Sequence, residues 1–192
     1  MIKYVIVFLL QLISMFAYAQ DDGKLFLSGG ASYPLDPSDY YKYYNIGFNI
    51  GGGYTLPIND KFDVGGEFGF NYNGLNSDKF IEDLGGNASE WKTSGGGNTT
   101  LEFLAIGILK LSDKLNFLAG FGYYRTTFDE FTATHKTGAY LKLLESSEGK
   151  FGLNAGIKFN FDKIGLRARI HNIFTDDKTT RLFEFGLTYD IN

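Results

Sequence analysis

Residues 62–74 read FDVGGEFGFNYNG, and this stretch decides the fold class of the chain. Apolar side chains occupy alternate positions, and polar side chains occupy most of the positions between them. The apolar set is Phe62, Val64, Phe68, Phe70 and Tyr72, and the polar set is Asp63, Glu67, Asn71 and Asn73. A period of two residues predicts a β-strand with one apolar and one polar face. In a soluble barrel the apolar face points into the core, whereas in a membrane barrel it faces lipid.

The same alternation recurs along the rest of the chain. It is found in the segments 24–33, 45–56, 115–125, 150–161, 164–171 and 183–191. Segment 100–111 also has an extended pattern, but it is apolar on both parities. Together with 62–74 these segments predict eight strands.

The connections between these segments alternate in length. Short turns are predicted at 57–61, 112–114 and 162–164, each with an Asp-Lys step suited to a tight hairpin. Long polar loops are predicted at 34–44, 74–99 and 127–149, with a shorter one at 175–181. Outer-membrane barrels have this asymmetry, with short periplasmic turns and long extracellular loops. The strand lengths also match the roughly 9–11 residues that cross a bilayer at a tilt.

The polar parity carries charges and many glycines. Its charged residues are Glu67, Glu102, Lys158, Arg167, Arg169 and Glu184. Aromatic residues collect near the strand ends, as interfacial girdles require, and small residues on the polar parity suit a narrow lumen. A soluble barrel with these charges facing outward water is compatible with the charge pattern alone. The girdles and glycines favour lipid outside and a polar network inside.

Composition excludes several classes of function. The chain has 192 residues, 25 glycines, 17% aromatic residues, no cysteine and a net charge of −4. Because there is no basic run, nucleic acid is not an expected partner. The absence of cysteine excludes a disulfide scaffold, a thiolate metal site, a cysteine nucleophile and a lipid-anchored cysteine.

The N-terminal segment has the features of a secretory signal. Lys3 is followed by an apolar run from Tyr4 to Ile13 and by Ala17-Tyr18-Ala19, an A-x-A cleavage site. A retained transmembrane helix is the alternative, but the run is short and contains Gln11. We therefore expect a signal peptide at 1–19 and one domain at 20–192. No later stretch predicts a spanning helix, so membrane residence requires a closed barrel.

Three further stretches carry a family resemblance. They are TTLEFLAIGILKLSDKLNFLAGFGYY (99–124), GLRARIHNIFTDD (165–177) and FEFGLTYDI (183–191), which join the AYAQ end of the signal segment. With them the chain resembles small outer-membrane β-barrel proteins of the porin-like family of Bacteroidetes-type bacteria, and more distantly OmpX/OmpA-type barrels. The chain ends on Asn192, whereas such barrels often end on an aromatic residue.

The resemblance implies a fold, a location and partners. The fold is an all-β, eight-stranded antiparallel up-and-down transmembrane β-barrel. The location is the outer membrane of a Gram-negative cell. The implied partners are outer-membrane lipid, lipopolysaccharide and the barrel-assembly machinery.

The sequence offers little for catalysis, cofactors or metals. A lipid-modifying barrel enzyme needs a Ser-His pair near the lipid interface. His171 has no serine nearby in sequence, and its parity points into the lumen, so we interpret it as a polar lumen residue. His171 and His135 are too scattered to predict a zinc site. The glycine runs lack the Lys-Ser/Thr of a phosphate loop. We therefore predict no enzyme activity, no cofactor and no metal.

Two classes of function remain, with a third behind them. About eight strands leave an interior just filled by side chains, and the inward acids and bases can pair and close it. The first class is a non-enzymatic anchor that presents loops for a structural, adhesion or binding role. The second is a narrow porin-like channel in which the same charges form a gate. The third is a barrel-embedded lipid-modifying enzyme.

The second long loop contains two features of interest. Residues 77–86, SDKFIEDLGG, predict one or two helical turns with Ser77 as the N-terminal cap and Gly85 as the stop. Trp91, the only tryptophan, is a candidate contact for an extracellular ligand. The alternative is that Trp91 packs the loop onto the barrel rim.

Overall fold

The computed structural model describes residues 23–35, 41–174 and 179–191. Within this part of the chain, eight strands form one closed antiparallel barrel. The barrel strands are β1 (Lys24–Leu35), β2 (Gly47–Asn59), β3 (Phe62–Gly74), β5 (Gly97–Lys110), β6 (Leu115–Phe128), β9 (Ser146–Phe161), β10 (Ile164–Phe174) and β11 (Thr179–Asp190). Around the barrel their order is β1-β11-β10-β9-β6-β5-β3-β2. The predicted eight-stranded up-and-down barrel is confirmed. The predicted signal peptide at 1–19 lies outside the described residues.

The strands are joined by short connections at one end of the barrel, whereas three of the four connections at the other end are longer. The short turns lie at 60–61, 111–114 and 162–163, and we call this the short-turn end. In the turn between β9 and β10, Asp162 has a φ of 58°, a conformation that Asp tolerates better than most residues. The opposite end is the long-loop end. There β6 and β9 continue past their predicted limits, since Thr127 pairs with Ser147 and donates a hydrogen bond to it at 3.2 Å.

The orientation of the two faces answers the question raised by residues 62–74. Phe68 is 46% exposed on the outer wall, whereas its neighbour Glu67 is 5% exposed inside the barrel. The same alternation of exposed apolar and buried polar side chains follows β10 and β11. The barrel is therefore apolar outside and polar inside, and the soluble alternative, with the apolar parity inside, is wrong.

Strand β5 explains why residues 100–111 are apolar on both parities. Phe103 is 52% exposed on the outer wall, while Leu104 is 5% exposed and points into the lumen. Ile106 and Ile108 follow Leu104 on the lumen side. These side chains pack with Phe26 and others in one buried apolar cluster. The lumen is therefore apolar along β5, although much of its remaining lining is polar.

The two longest loops fold together at the long-loop end. Residues 75–96 contain α1 (Ser77–Asp83) and β4 (Trp91–Gly95), and residues 129–145 contain β7 (Phe131–His135) and β8 (Tyr140–Leu143). The three short strands form a separate sheet in the order β4-β7-β8. Its core is formed by Ile81, Phe131 and Ala133, with Leu75, Phe80, Trp91 and Leu141 packed around them. We call residues 75–96 and 129–145 the loop domain.

The helix of the loop domain starts one residue earlier than the sequence indicated. Asn76, not Ser77, is the N-terminal cap, because its side-chain oxygen accepts the backbone N–H of Lys79 at 3.0 Å. The predicted stop is confirmed, since Gly85 follows the helix with a φ of 82°. Among the described residues, no helix has the length and apolarity needed to cross a bilayer.

Candidate functional site

A cluster of charged side chains crosses the middle of the lumen. It brings together Glu67 on β3, Glu102 on β5, Arg167 and Arg169 on β10, and Glu184 on β11. In the barrel order, β10 lies on the opposite side from β3, and β11 lies opposite β5. The side chains therefore meet across the full width of the lumen. We call this set, with His171, the central cluster.

Glu67 is the acceptor for both arginines. Its carboxylate receives two hydrogen bonds from the Arg169 guanidinium, at 2.8 and 2.9 Å, which is a bidentate pair. Arg167 donates a third hydrogen bond to the same carboxylate at 2.8 Å. Because charge-assisted bonds of this kind are short and directional, they fix the two strands of opposite walls relative to each other.

Arg169 also bonds to the carboxylate on the neighbouring strand. Glu184 faces Arg169 directly in the β10–β11 register and accepts from its Nε and Nη2 at 3.3 and 2.9 Å. The Nη2 of Arg169 lies 3.7 Å from a carboxylate oxygen of Glu102. All three glutamates surround one guanidinium, which is fully buried.

His171 extends the central cluster towards the long-loop end. Its Nε2 lies 3.1 Å from Glu184 Oε2, and its Nδ1 lies 3.0 Å from the hydroxyl of Tyr124. Asn71 donates a hydrogen bond to Glu102 at 2.8 Å. The sequence placed His171 in the lumen but missed that it joins the acids, although Arg167, Arg169 and His171 share one parity of β10.

Glycines on neighbouring strands make room for these large side chains. Gly156 faces Arg169 in the β9–β10 register, and a Cβ at that position would lie 2.9 Å from the Cα of Arg169. Gly69 faces Glu102, and a Cβ there would lie 3.0 Å from its carboxylate oxygen. The glycines of the polar parity therefore provide space for the charges.

Lys158, the sixth residue of the predicted lumen network, is not part of the central cluster. Lys158 faces Arg167 in the β9–β10 register but turns towards the short-turn end, where its Nζ donates to Asp190 at 3.0 Å. A second ion pair joins Lys110 Nζ and Asp63 at 2.7 Å nearby. These two pairs line a cavity of roughly 560 Å³ that opens at the short-turn end and has Arg167 in its lining.

The geometry of the central cluster favours an ion-pair network that closes the lumen over a metal or catalytic site. Three carboxylates face two guanidiniums, so the cluster has one excess acid when His171 is neutral. The spacing of Glu102, His171 and Glu184 would suit a metal ion, because their ligand atoms lie within 4.8 Å of one another. However, Glu184 already accepts from Arg169, and His171 Nδ1 already faces Tyr124. We therefore assign these groups to the ion-pair network.

The loop domain is the second candidate site. Trp91 is half-buried against its core, and its ring lies 5.0 Å from that of His135 on the neighbouring strand. The Nε2 of His135 lies 3.1 Å from a carboxylate oxygen of Glu90. The structure therefore places Trp91 in the packing of the loop domain. Trp91 as a ligand contact stays a prediction.

A further loop segment is held against the loop domain. Tyr43 packs edge-on against Phe80 of α1 at 5.2 Å, and Lys42 forms an ion pair with Asp83 at 2.8 Å. The hydrogen bond from Lys42 lowers the pKa of Asp83 below its usual value, and the bond to Asp83 raises the pKa of Lys42. Three loops thus form one connected surface.

Strand β8 is the outer edge of the small sheet. It pairs with β7 on one side, and no described strand covers its other side. Tyr140, Leu143 and the following Leu144 are exposed. An uncovered strand edge with apolar side chains is a surface to which another chain can pair.

Comparison with known proteins identifies structures of similar fold but indicates no activity. No protein-family model matches the chain, and no curated protein matches it. The solved structure of Ail, the attachment invasion locus protein of Yersinia pestis, covers 88% of this chain and 99% of its own length, with 17% identity and a TM-score of 0.60. Ail in complex with the heparin analogue sucrose octasulfate covers 88% and 99%, with 15% identity and a TM-score of 0.55. A major outer membrane protein from Thermus thermophilus covers 87% and 99%, with 13% identity and a TM-score of 0.54.

At these identities the likeness concerns the fold. The chain has the fold of small outer-membrane β-barrels, as the sequence predicted. A Bacteroidetes-type origin stays a prediction.

Proposed function

We propose that this protein is a non-enzymatic outer-membrane anchor whose loop domain binds a partner outside the cell. The observation that carries this proposal is the separate core of the loop domain, built on Ile81, Phe131 and Ala133. Long loops without a function have no need of a buried core of their own, whereas a binding surface benefits from being preorganised. The outer wall of the barrel would contact membrane lipid and lipopolysaccharide, and the barrel-assembly machinery would insert the chain.

The central cluster supports an anchor over a channel. Glu67, Arg169 and Glu184 fill the middle of the lumen with direct hydrogen bonds and are almost completely buried. Opening a path would require these groups to separate in a medium of low dielectric, which is costly for charges. The cavity at the short-turn end favours a narrow channel as the second candidate, but it reaches only to Arg167.

The charge of the loop domain indicates the kind of partner. Residues 75–96 contain four acids and two bases, and residues 129–145 contain three acids and two bases. A net negative surface does not suit a sulfated polyanion of the kind bound in one Ail structure. The exposed edge formed by Tyr140, Leu143 and Leu144 suits a protein partner instead.

The test compares intact cells that display the wild-type protein or one of three variants. In the first variant, residues 76–95 and 130–144 are replaced by Gly-Ser linkers. In the second, Tyr140, Leu143 and Leu144 are each changed to serine, and Leu84→Ser is the matched control because Leu84 is also exposed but lies at the end of α1. Attachment of the cells to a panel of immobilised extracellular proteins is measured, and heat-modifiable gel migration checks that each barrel folds.

We expect both loop variants to fold and to lose attachment, while Leu84→Ser keeps it. Attachment that survives replacement of the loop domain would contradict the proposal. Current steps in planar bilayers from the wild-type protein, without any attachment, would favour the channel instead.

A further inference from the structure

The cavity at the short-turn end has the size and the shape of a binding pocket. Its volume of roughly 560 Å³ lies within the range of small-molecule sites, about 300–1,000 Å³. Arg167 lines it, and the fully buried Arg169 and Glu102 lie beyond. The pocket is therefore a dead end that a molecule enters and leaves through the same mouth.

Part of the pocket lining is apolar. Ile106 and Ile108 on β5 and Leu118 on β6 point into the lumen, and Phe26 packs with them from β1, on the side of the barrel opposite β6. A lumen that holds only water and ions needs polar side chains at these positions. These apolar side chains instead match the hydrophobic lining that is typical of ligand pockets.

The charged residues of the lining come from several strands and are mostly neutralised by ion pairs. Asp63 is paired with Lys110 at 2.7 Å, and Asp190 is paired with Lys158 at 3.0 Å. The lining as a whole contains five Lys or Arg residues and four Asp residues. Arg167 is in turn paired with Glu67 at 2.8 Å. The charges left for a ligand to meet are therefore at the mouth, on the exposed Lys24, Lys61, Asp60 and Asp113.

The mouth of the pocket carries the lysines that a head group would reach. Lys24 and Lys61 have longer side chains than Asp60 and Asp113 beside them, so their ammonium groups can reach over the mouth. Neither lysine has an ion pair among the residues that the structure describes. An anionic group is least costly to place there, because it keeps contact with water while its apolar body is buried. A molecule with an apolar chain and one anionic head fits both features.

We propose that this pocket binds a medium-chain fatty acid or a similar monoanionic amphiphile from the short-turn side of the barrel. The alkyl chain lies against Phe26, Ile106 and Ile108, and the carboxylate lies between Lys24 and Lys61. The site is on the opposite end from the loop domain, so it is independent of the extracellular function proposed above.

The test uses the full chain in phosphatidylcholine nanodiscs and a decanoate that carries a photoreactive diazirine on its chain. Adducts are mapped by mass spectrometry, which separates lumen-facing from lipid-facing residues. We expect adducts on Phe26, Ile106, Ile108 or Leu118, and we expect excess decanoate to suppress them while decyltrimethylammonium does not.

Charge reversal at the rim gives a matched comparison. Lys24→Glu combined with Lys61→Glu should lower lumen labelling about tenfold. The control combines Lys114→Glu with Lys163→Glu, since both lysines are exposed at the same end but do not line the pocket. These sites are outside the buried core, and gel migration confirms that the variants fold.

Three results would overturn the proposal. The first is labelling confined to the lipid-facing side chains. The second is equal labelling of the two double variants. The third is equal displacement by decyltrimethylammonium, which would exclude the anionic class of ligand.

Discussion

The barrel buries charged side chains and exposes apolar ones, whereas the loop domain of the same chain does the reverse. In the barrel, Arg169 and Glu102 are fully buried while Phe103 and Leu187 are exposed. In the loop domain, Ile81, Phe131 and Ala133 are buried, and most charged residues of its segments are exposed. The difference lies in the surroundings, because lipid accepts apolar surface and water accepts charge.

The comparison shows what alternation in a sequence does and does not specify. A period of two residues assigns side chains to the same face of a strand. Which face is buried follows from the medium around the sheet and from the partners available inside it. The buried charges of the barrel are tolerated because each guanidinium of the central cluster has carboxylate partners.

The substitution with the largest expected effect removes one member of the central cluster. Glu67→Ala removes the carboxylate that accepts from both Arg167 and Arg169. Breaking a buried ion pair on one side costs about 3–5 kcal/mol, so we expect a clear fall in the free energy of unfolding. Urea titration in lipid vesicles, followed by gel migration, measures it.

The matched control for this change is Asp60→Asn in an exposed short turn. It should shift the free energy of unfolding by less than about 0.5 kcal/mol. Equal midpoints for the two variants would show that the central cluster contributes nothing to barrel stability.

The next effect tests the outer wall. Phe68 is exposed at the middle of β3 and packs edge-on against Phe103 at 5.2 Å. Phe68→Arg places a charge against lipid, which costs about 2–4 kcal/mol near the bilayer midplane. Phe68→Leu keeps the apolar contact and should be nearly neutral. The same urea titration compares them, and an arginine variant as stable as the leucine variant would reverse our assignment of the two faces.

A third change should separate the two cores. Phe131→Ala removes the largest buried side chain of the loop domain, and a Phe→Ala change in a core costs about 3–5 kcal/mol locally. We expect faster proteolysis within 75–96 and 129–145, with unchanged urea unfolding of the barrel, because no barrel contact is lost. Loss of barrel folding in this variant would mean that the two cores are one unit.

The smallest effect concerns pH and the contact between Lys42 and Asp83. The pKa of Asp83 is lowered in the folded protein by its pair with Lys42. The stabilisation from this pair is therefore fully present above the usual pKa of an aspartate, about 3.9, and is lost as pH falls through the lower pKa of the folded protein. The reporter is the amide of Asn76, which donates to Tyr43 at 2.6 Å. Its hydrogen-exchange protection should fall below about pH 4.

Asp83→Asn should remove this pH dependence, while Asp78→Asn should keep it. Identical pH profiles for wild type and Asp83→Asn would show that the pair does not hold the first loop to α1.

The sequence predicted the barrel well because its signal is local. Strand number, the alternation of faces and the two unequal ends all follow from short-range patterns such as 62–74. The loop strands β4, β7 and β8 were missed because each has only four or five residues, and their pairing depends on contacts between distant loops.

The central cluster was only partly accessible to sequence reasoning. Parity predicted which charged residues point into the lumen, but the position of each side chain along the barrel axis depends on strand register. Register brings Arg169 beside Glu184, and the closure of the barrel brings Glu67 across to meet them. The same geometry sends Lys158 to Asp190, a partner that parity alone could not identify.

The most direct test of the inverted barrel uses the unmodified chain and strand β5, where both parities are apolar. Methyl groups of the protein are isotope-labelled in nanodiscs, and nuclear Overhauser effects to lipid acyl chains are recorded. We predict contacts from lipid to Ala105 and Leu109, and none to Leu104, Ile106 or Ile108, because these three point into the lumen. Lipid contacts on both sets, or on the second set alone, would contradict the account.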